Sequence, residues 1–190
     1  LRTRGERAID RLVLSHGDTD HIGGAASVVA GVPVLASLSS LPAAHPLRGA
    51  GGVAASSQLG ESAAWKDLLG RGPVRATATL PAHQPCLAGA SWQWDGVRFE
   101  VLHPGAAALD DPRRSPNSLS CVLAITDANG RRALLTGDLE AAQEAELVAR
   151  WGRALRSEVL LVPHHGSRTS SSAAFLDAVA PAVAVVQAAY

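Results

Sequence analysis

The chain alternates short aliphatic runs with breaks rich in Gly and Pro. The first run, Ile9 to Leu14, is short and branched. It predicts a buried β-strand that carries on to Ser15. Residues 24–30 form an Ala/Val segment that predicts a short helix ended by Gly31, and residues 32–36 predict a second strand. A strand–loop–helix–strand unit of this kind implies parallel strands. Residues 37–60 are rich in Ser, Ala, Gly and Pro without a period and predict an irregular loop. Residues 61–69, with Trp65 and Lys66, predict a helix, and residues 74–80 a weak strand. Trp92 to Trp94, the pair Asp95-Gly96 and residues 97–102 predict a hairpin that delivers His103-Pro104-Gly105, with a loop over 106–116. A second hairpin is predicted from residues 119–126 through Asn129-Gly130 to residues 132–136. Residues 139–151 read as an amphipathic helix with Ala142, Ala145, Leu147 and Val148 inward and Glu140, Glu144 and Glu146 outward. A strand over 159–162, a helix capped by Ser170 or Ser171 and running to Val179, and a strand over 182–186 complete the pattern.

At 190 residues the chain fits one domain with a substantial core. Its 17 basic and 17 acidic residues balance, which argues against a free-standing non-specific DNA binder but not against an enzyme handed its substrate by other domains. No apolar run approaches the roughly 20 residues that span a bilayer, and no signal peptide is evident. There is no methionine, and the chain enters a core-type strand almost at once. The expectation is an internal fragment, residues 1–190 being one soluble domain of a larger membrane protein. Cys86 and Cys121 lack zinc-ligand spacing; they either pair in an oxidising compartment or stay as buried thiols, and the thiols are favoured.

The chemistry concentrates in Ser15-His-Gly-Asp-Thr-Asp-His-Ile-Gly-Gly. His16, Asp18, Asp20 and His21 follow a strand on a loop, the usual place for binding groups. The alternate donors His16 and Asp18 suit one metal. The adjacent Asp20 and His21 must point differently and suit a second, about 3.5–4 Å away, as in binuclear hydrolases. The competing account, a helix N-cap by Asp20, explains one Asp but not the set. Three further strand ends carry metal-capable groups: His103, Asp138 in Leu134-Leu-Thr-Gly-Asp, and His164-His165 after Val162-Pro. Locally, Asp138 also reads as a helix cap and His103 as a structural histidine. Of the adjacent imidazoles, one ligates and the other orients it, contacts phosphate or protonates a leaving group. The residues do not decide which, and His164 is favoured as the ligand. His45 and His83, in Pro-flanked loops, read as solvated.

His-x-Asp-x-Asp-His-x-Gly-Gly resembles the metallo-β-lactamase superfamily signature His-x-His-x-Asp-His, with Asp18 in place of the second His. That variant is similar to the one in the ComEC competence proteins, DNA-uptake channels of the bacterial inner membrane. Asn117-x-Leu-Ser-Cys-Val-Leu, Leu134-Leu-Thr-Gly-Asp-Leu and Val162-Pro-His-His-Gly-Ser resemble the same family in the same order. The resemblance implies an α/β (α+β) fold, the αββα sandwich, truncated at both ends. It implies two divalent metal ions, Zn or Mn, held by His16, Asp18, Asp20, His21, His103, Asp138 and His164, with Asp138 bridging them and Asp20, His164 and His165 in catalysis. A further ligand His in the family lies after the point where this chain stops. The carboxylate of Asp18 hardens the site towards manganese. The activity implied is phosphodiester hydrolysis of the DNA strand that is not carried into the cell. The partners implied are single-stranded DNA, other competence proteins and, through upstream segments, the inner membrane. The alternatives are hydrolysis of small phosphodiesters or phosphorylated wall components, and a non-catalytic gating domain of the channel.

Overall fold

The computed structural model describes residues 5–49 and 79–187. The helix predicted over 61–69 and most of the strand predicted over 74–80 lie outside them. β1 (Ile9–Leu14), α1 (Thr19–Ile22), α2 (Ala25–Gly31), β2 (Val34–Ser39) and β3 (His83–Pro85) build the first half. β4 (Ser91–Trp94), β5 (Val97–His103), α3 (Ala106–Leu109), β6 (Val122–Thr126), β7 (Arg132–Leu135), α4 (Ala141–Trp151), β8 (Val159–Leu161), α5 (Ala173–Val179) and β9 (Val183–Val185) build the second.

β1, β2 and β3 form a parallel sheet in that order, and β4 to β9 form a six-stranded sheet in sequence order. Antiparallel pairing joins β4 through β7, and parallel pairing joins β7 to β8 and β8 to β9. Two reversals between β5 and β7 leave β5, β7 and β8 pointing the same way, so His103, Asp138 and the His164-His165 pair emerge at one edge. Side chains sort by the strand period of two. Leu102, Val122, Ala124, Leu134 and Leu160 face outward, under Leu147 of α4 and Phe175 and Val179 of α5. Val101, Leu123, Ile125 and Leu135 face inward, against Val13 and Leu38 of the first sheet. Leu12 and Leu14 face α1 and α2 through Ile22, Ala25 and Val29. The layers are helix, sheet, sheet, helix, the expected sandwich.

Several local expectations change. β1 is an edge strand in which only Leu14 is buried, because it is paired on one side alone. β2 starts two residues later than predicted and reaches Ser39, which the sequence placed in a loop. Residues 106–109 form a helical turn rather than loop. The β6–β7 connection is wider than a two-residue hairpin: the Asp127 carboxylate accepts the backbone N–H groups of Asn129 and Arg131, and Gly130 takes φ 80°. Cys86 and Cys121 form a disulfide across a Cα–Cα distance of 5.8 Å, joining the two sheets, which overturns the preference for free thiols. His45 is not simply solvated, since its Nδ1 accepts the N–H of Leu47. His83 packs half-buried with its Nε2 2.7 Å from the Ser39 hydroxyl.

The face of α4 is also rotated from expectation. Gln143, Glu144 and Leu147 are buried, while Ala142 and Ala145 are exposed. An alanine loses little by facing water, whereas Glu144 gains partners inside. Its carboxylate accepts the backbone N–H groups of Ser171 (2.6 Å) and Ser172 (2.8 Å). Ser172 is the N-cap of α5 but makes no side-chain capping bond, so Glu144 caps α5 from a neighbouring helix. This anchors the segment that follows His164-His165.

Replacing Glu144 with Ala is expected to lower stability by about 2–4 kcal/mol in urea unfolding, because two buried donors lose a charged acceptor. A loss below about 0.5 kcal/mol would contradict the capping role. His83 is pushed down to about 4, by burial and then by the Arg48 charge, from an ordinary 6.5. The unfolded chain therefore takes up the proton first. The stability that neutral His83 contributes is full above about 6.5 and is lost as pH falls towards about 4. His83→Gln should flatten the pH dependence of the melting midpoint in that window.

Candidate metal centre

Each sheet feeds the site from a strand end. β1 ends at Leu14, Ser15 and His16 follow, and the chain turns into α1 with Asp18, not Asp20, as its N-cap. Asp20 and His21 lie in that one-turn helix and so project from the same short segment. β7 ends at Leu135 and is followed by Thr136, Gly137 and Asp138. Gly137 has φ 57°, and a Cβ there would lie 3.0 Å from Ser120 and 3.1 Å from Ser15. Only glycine lets the backbone carrying Asp138 pass between these serines. β8 leads to Pro163 and then to His164 (φ 50°) and His165 (φ 53°). Two successive non-glycine residues in the left-handed region cost about 1–2 kcal/mol each. Here they give neighbouring imidazoles different partners.

Asp20, His21, Asp138 and His165 converge, each offering a ligand atom within 4.8 Å of the others. His21 Nε2 lies 3.1 Å from Asp138 Oδ1 and 3.2 Å from His165 Nε2. His165 Nε2 lies 3.2 Å from Asp20 Oδ2 and 3.4 Å from Asp138 Oδ2. His16 flanks this group: its Nε2 is 3.9 Å from Asp138 Oδ2 and 3.6 Å from Asp18 Oδ2. The buried Nε2 of His16 has no hydrogen-bond partner. Burial, and then the neighbouring His21, lowers the pKa of His16, which favours the neutral imidazole that can donate a lone pair. The His165 pKa is raised, first by its Nδ1 hydrogen bond to the Gln187 carbonyl (2.7 Å) and further by the Asp138 and Asp20 charges. Imidazole and carboxylate donors, an orphaned buried nitrogen and a tight cluster fit a divalent cation. Asp20, His21, Asp138 and His165 are the residues that would hold it, with His16 and Asp18 placed for a neighbouring one.

Two expected ligands stand apart from this group. His103 is buried, donates its Nδ1–H to the Ser120 carbonyl at 3.0 Å, and has Glu146 as its ionic neighbour, 3.9 Å from Nε2. Burial lowers its pKa, an effect partly opposed by the Ser120 bond. His164 has Nδ1 3.0 Å from the Thr169 hydroxyl and Nε2 3.4 Å from Asn117 Nδ2. Asn117, whose buried Oδ1 has no partner, and the serines Ser15 and Ser120 were not singled out from sequence. A serine beside a ligand motif carries no distinguishing signal in one chain, and the Asn117 motif was visible without a role.

Beside the cluster lies a cavity of about 300 Å³, walled by Val13, Leu123, Leu135, Leu161 and Val162 and floored by the acidic and imidazole groups. An apolar cleft ending in a few convergent polar groups is the common form of a ligand site. No helix among the described residues is long and apolar enough to cross a membrane.

The comparisons agree with this geometry. The chain is 37% identical over 191 residues to competence protein ComA of Neisseria gonorrhoeae, covering 100% of this chain and 21% of that protein. It is 30% identical over 178 residues to recombination protein 2 of Haemophilus influenzae, covering 94% of this chain and 17% of that protein. The chain thus spans about a fifth of the length of these relatives, and the resemblance to competence proteins is borne out. The crystal structure of CmlA, a diiron β-hydroxylase from Streptomyces venezuelae, superposes with a TM-score of 0.51 over 94% of this chain and 35% of that one. At 14% identity this speaks for the fold alone. The family described as the metallo-beta-lactamase superfamily matches residues 1–189. With that match, the sandwich of two sheets and the cluster at its edge, the chain belongs to the metallo-β-lactamase superfamily.

Proposed function

We propose that this chain is a metal-dependent phosphodiesterase domain of a DNA-uptake protein, cutting the single strand of DNA that does not enter the cell. The observation that carries the reading is the convergence of Asp20, His21, Asp138 and His165 on one point beside an open cleft. The competence proteins among the relatives supply the setting. Two divalent ions, Zn or Mn, would supply charge neutralisation for a phosphate and activation of water near neutral pH. The carboxylates of Asp18, Asp20 and Asp138 and the imidazoles of His16, His21 and His165 are the groups that would hold them, with Asp138 shared. Among the described residues the site presents three acidic side chains and no Lys or Arg ion pair to them, so cations are needed before a phosphodiester can approach. His103 and His164 remain proposed ligands that would have to turn towards the cluster. In the arrangement described, His164, held between Thr169 and Asn117, is placed to pass a proton to the leaving oxygen. The Cys86–Cys121 disulfide supports a position on the oxidising, outer side of the inner membrane.

The test is cleavage of end-labelled single-stranded DNA by purified protein with Mn²⁺ or Zn²⁺, beside a small chromogenic phosphodiester. The proposal expects metal-dependent cleavage of DNA, reduced at least 100-fold in the Asp18→Ala/Asp138→Ala protein. Cleavage that survives the double substitution would overturn it. Hydrolysis of the small ester alone would favour the rival small-phosphodiester reading, and no hydrolysis with no metal bound would favour a gating domain. Binding should also show in stability. Metal at 100 times its dissociation constant should add about 2.7 kcal/mol to unfolding. Chelation should remove that gain, and Asp138→Asn should abolish most of it.

A further inference from the structure

We infer that Ser15 and Ser120 are positioning residues that fix the tautomers of His16 and His21, so that both imidazoles present Nε2 lone pairs to the cation site. The inference rests on the metal-binding part of the proposed function and is independent of the substrate. The Ser15 hydroxyl lies 3.1 Å from His16 Nδ1 and 3.2 Å from His21 Nδ1, so one oxygen faces both rings. The Ser120 hydroxyl lies 3.3 Å from His16 Nδ1 and accepts the backbone N–H of Asp138 at 2.9 Å. The other nitrogen of each ring faces the acidic cluster.

A hydroxyl has one proton and two lone pairs. If both Nδ1 atoms carry protons, both donate to the Ser15 oxygen and fill its two lone pairs. Ser15 lines the cavity, so its own proton is left free to point there. If both Nδ1 atoms lacked protons, one hydroxyl could satisfy only one of them. The Nε2–H of His16 would then be a buried donor without an acceptor within hydrogen-bond reach, at a cost of about 1–3 kcal/mol. The arrangement therefore selects Nδ1–H on both rings, the form in which Nε2 can ligate. Ser120 extends the control across the second sheet. Its hydroxyl serves His16 and the Asp138 amide, and its carbonyl holds His103 Nδ1 at 3.0 Å. One buried residue thus touches three residues of the metal motifs. Gly137 keeps the contact close, because any side chain there would press on both serines.

The experiment compares wild type, Ser15→Ala and Ser120→Ala. The tautomers are read from histidine ¹⁵N shifts in metal-free protein at pH 8, and Mn²⁺ and Zn²⁺ affinity from chelator competition. Melting midpoints identify variants that fold. Wild type should show Nδ1–H on both rings. Ser15→Ala should mix the tautomers of His16 and His21, whereas Ser120→Ala should disturb His16 and leave His21 unchanged. Each variant should bind metal about 10–100-fold more weakly. Folded variants that keep Nδ1–H on both rings and bind within twofold of wild type would overturn this inference alone. A wild type that takes up neither ion would overturn the metal reading and this inference with it.

Discussion

A buried carboxylate with no fixed cation beside it is the constraint around which this molecule is arranged. Asp138 is 4% exposed, and its ionic neighbours among the described residues are three imidazoles, His16, His21 and His165. Taking an ionised carboxylate out of water is costly unless it is paired and hydrogen-bonded. An imidazole settles that cost only in part, since a neutral ring carries no charge and a charged ring cannot ligate through both nitrogens. The site is therefore built for an added cation, and everything that fixes the position of Asp138 serves it. The Ser120 hydroxyl takes its backbone N–H, glycine at 137 lets the chain through, and β7 fixes its height.

Topology explains why residues more than a hundred positions apart share the site. Parallel pairing in each sheet sends strand ends to one edge, the side on which ligands bind in open parallel sheets. Leu134 and Leu160 bury one face of β7 and β8 under α4 and α5, so the strands that present Asp138 and His165 are held from behind. Glu144 continues that support by tying α4 to the start of α5, just after the double histidine. The apolar core is thus continuous with the polar site. A shift in the outer helices would pass directly to the imidazoles.

Much of this was legible in the sequence, for physical reasons that differ by element. The metal loop after β1 was readable because four donor side chains crowded into six residues suit little besides a cation. The β4–β5 hairpin was readable because Asp95-Gly96 suits the positive φ values of 48° and 80° found there. The buried face of α4 was misjudged because periodicity sorts residues by polarity, and Glu144 is polar yet satisfied inside. The disulfide was missed because cysteine spacing does not reveal which strands face each other. The difference between His164 and His165 was not legible at all. It arises from two left-handed backbone residues that turn adjacent rings to separate partners, a conformation that side-chain identity alone does not announce.

The disulfide and the metal site are best understood together. Cys121 follows Ser120 directly, and its N–H donates to the carbonyl of Ser15, at 2.8 Å. Cys86 lies beside the His103 carbonyl, 3.7 Å from its sulfur. The covalent link between the sheets therefore sits immediately beneath the two serines that face the histidine rings. Two sheets that met only through apolar contacts could slide by a fraction of an ångström with little loss, because dispersion is shallow and non-directional. Such a slide would spoil hydrogen bonds between Ser120 on one sheet and His16 on the other, which weaken steeply with distance and angle. A covalent tie at this level limits that slide, so the same cross-link that stabilises the sandwich also keeps the donor set from the two halves in register.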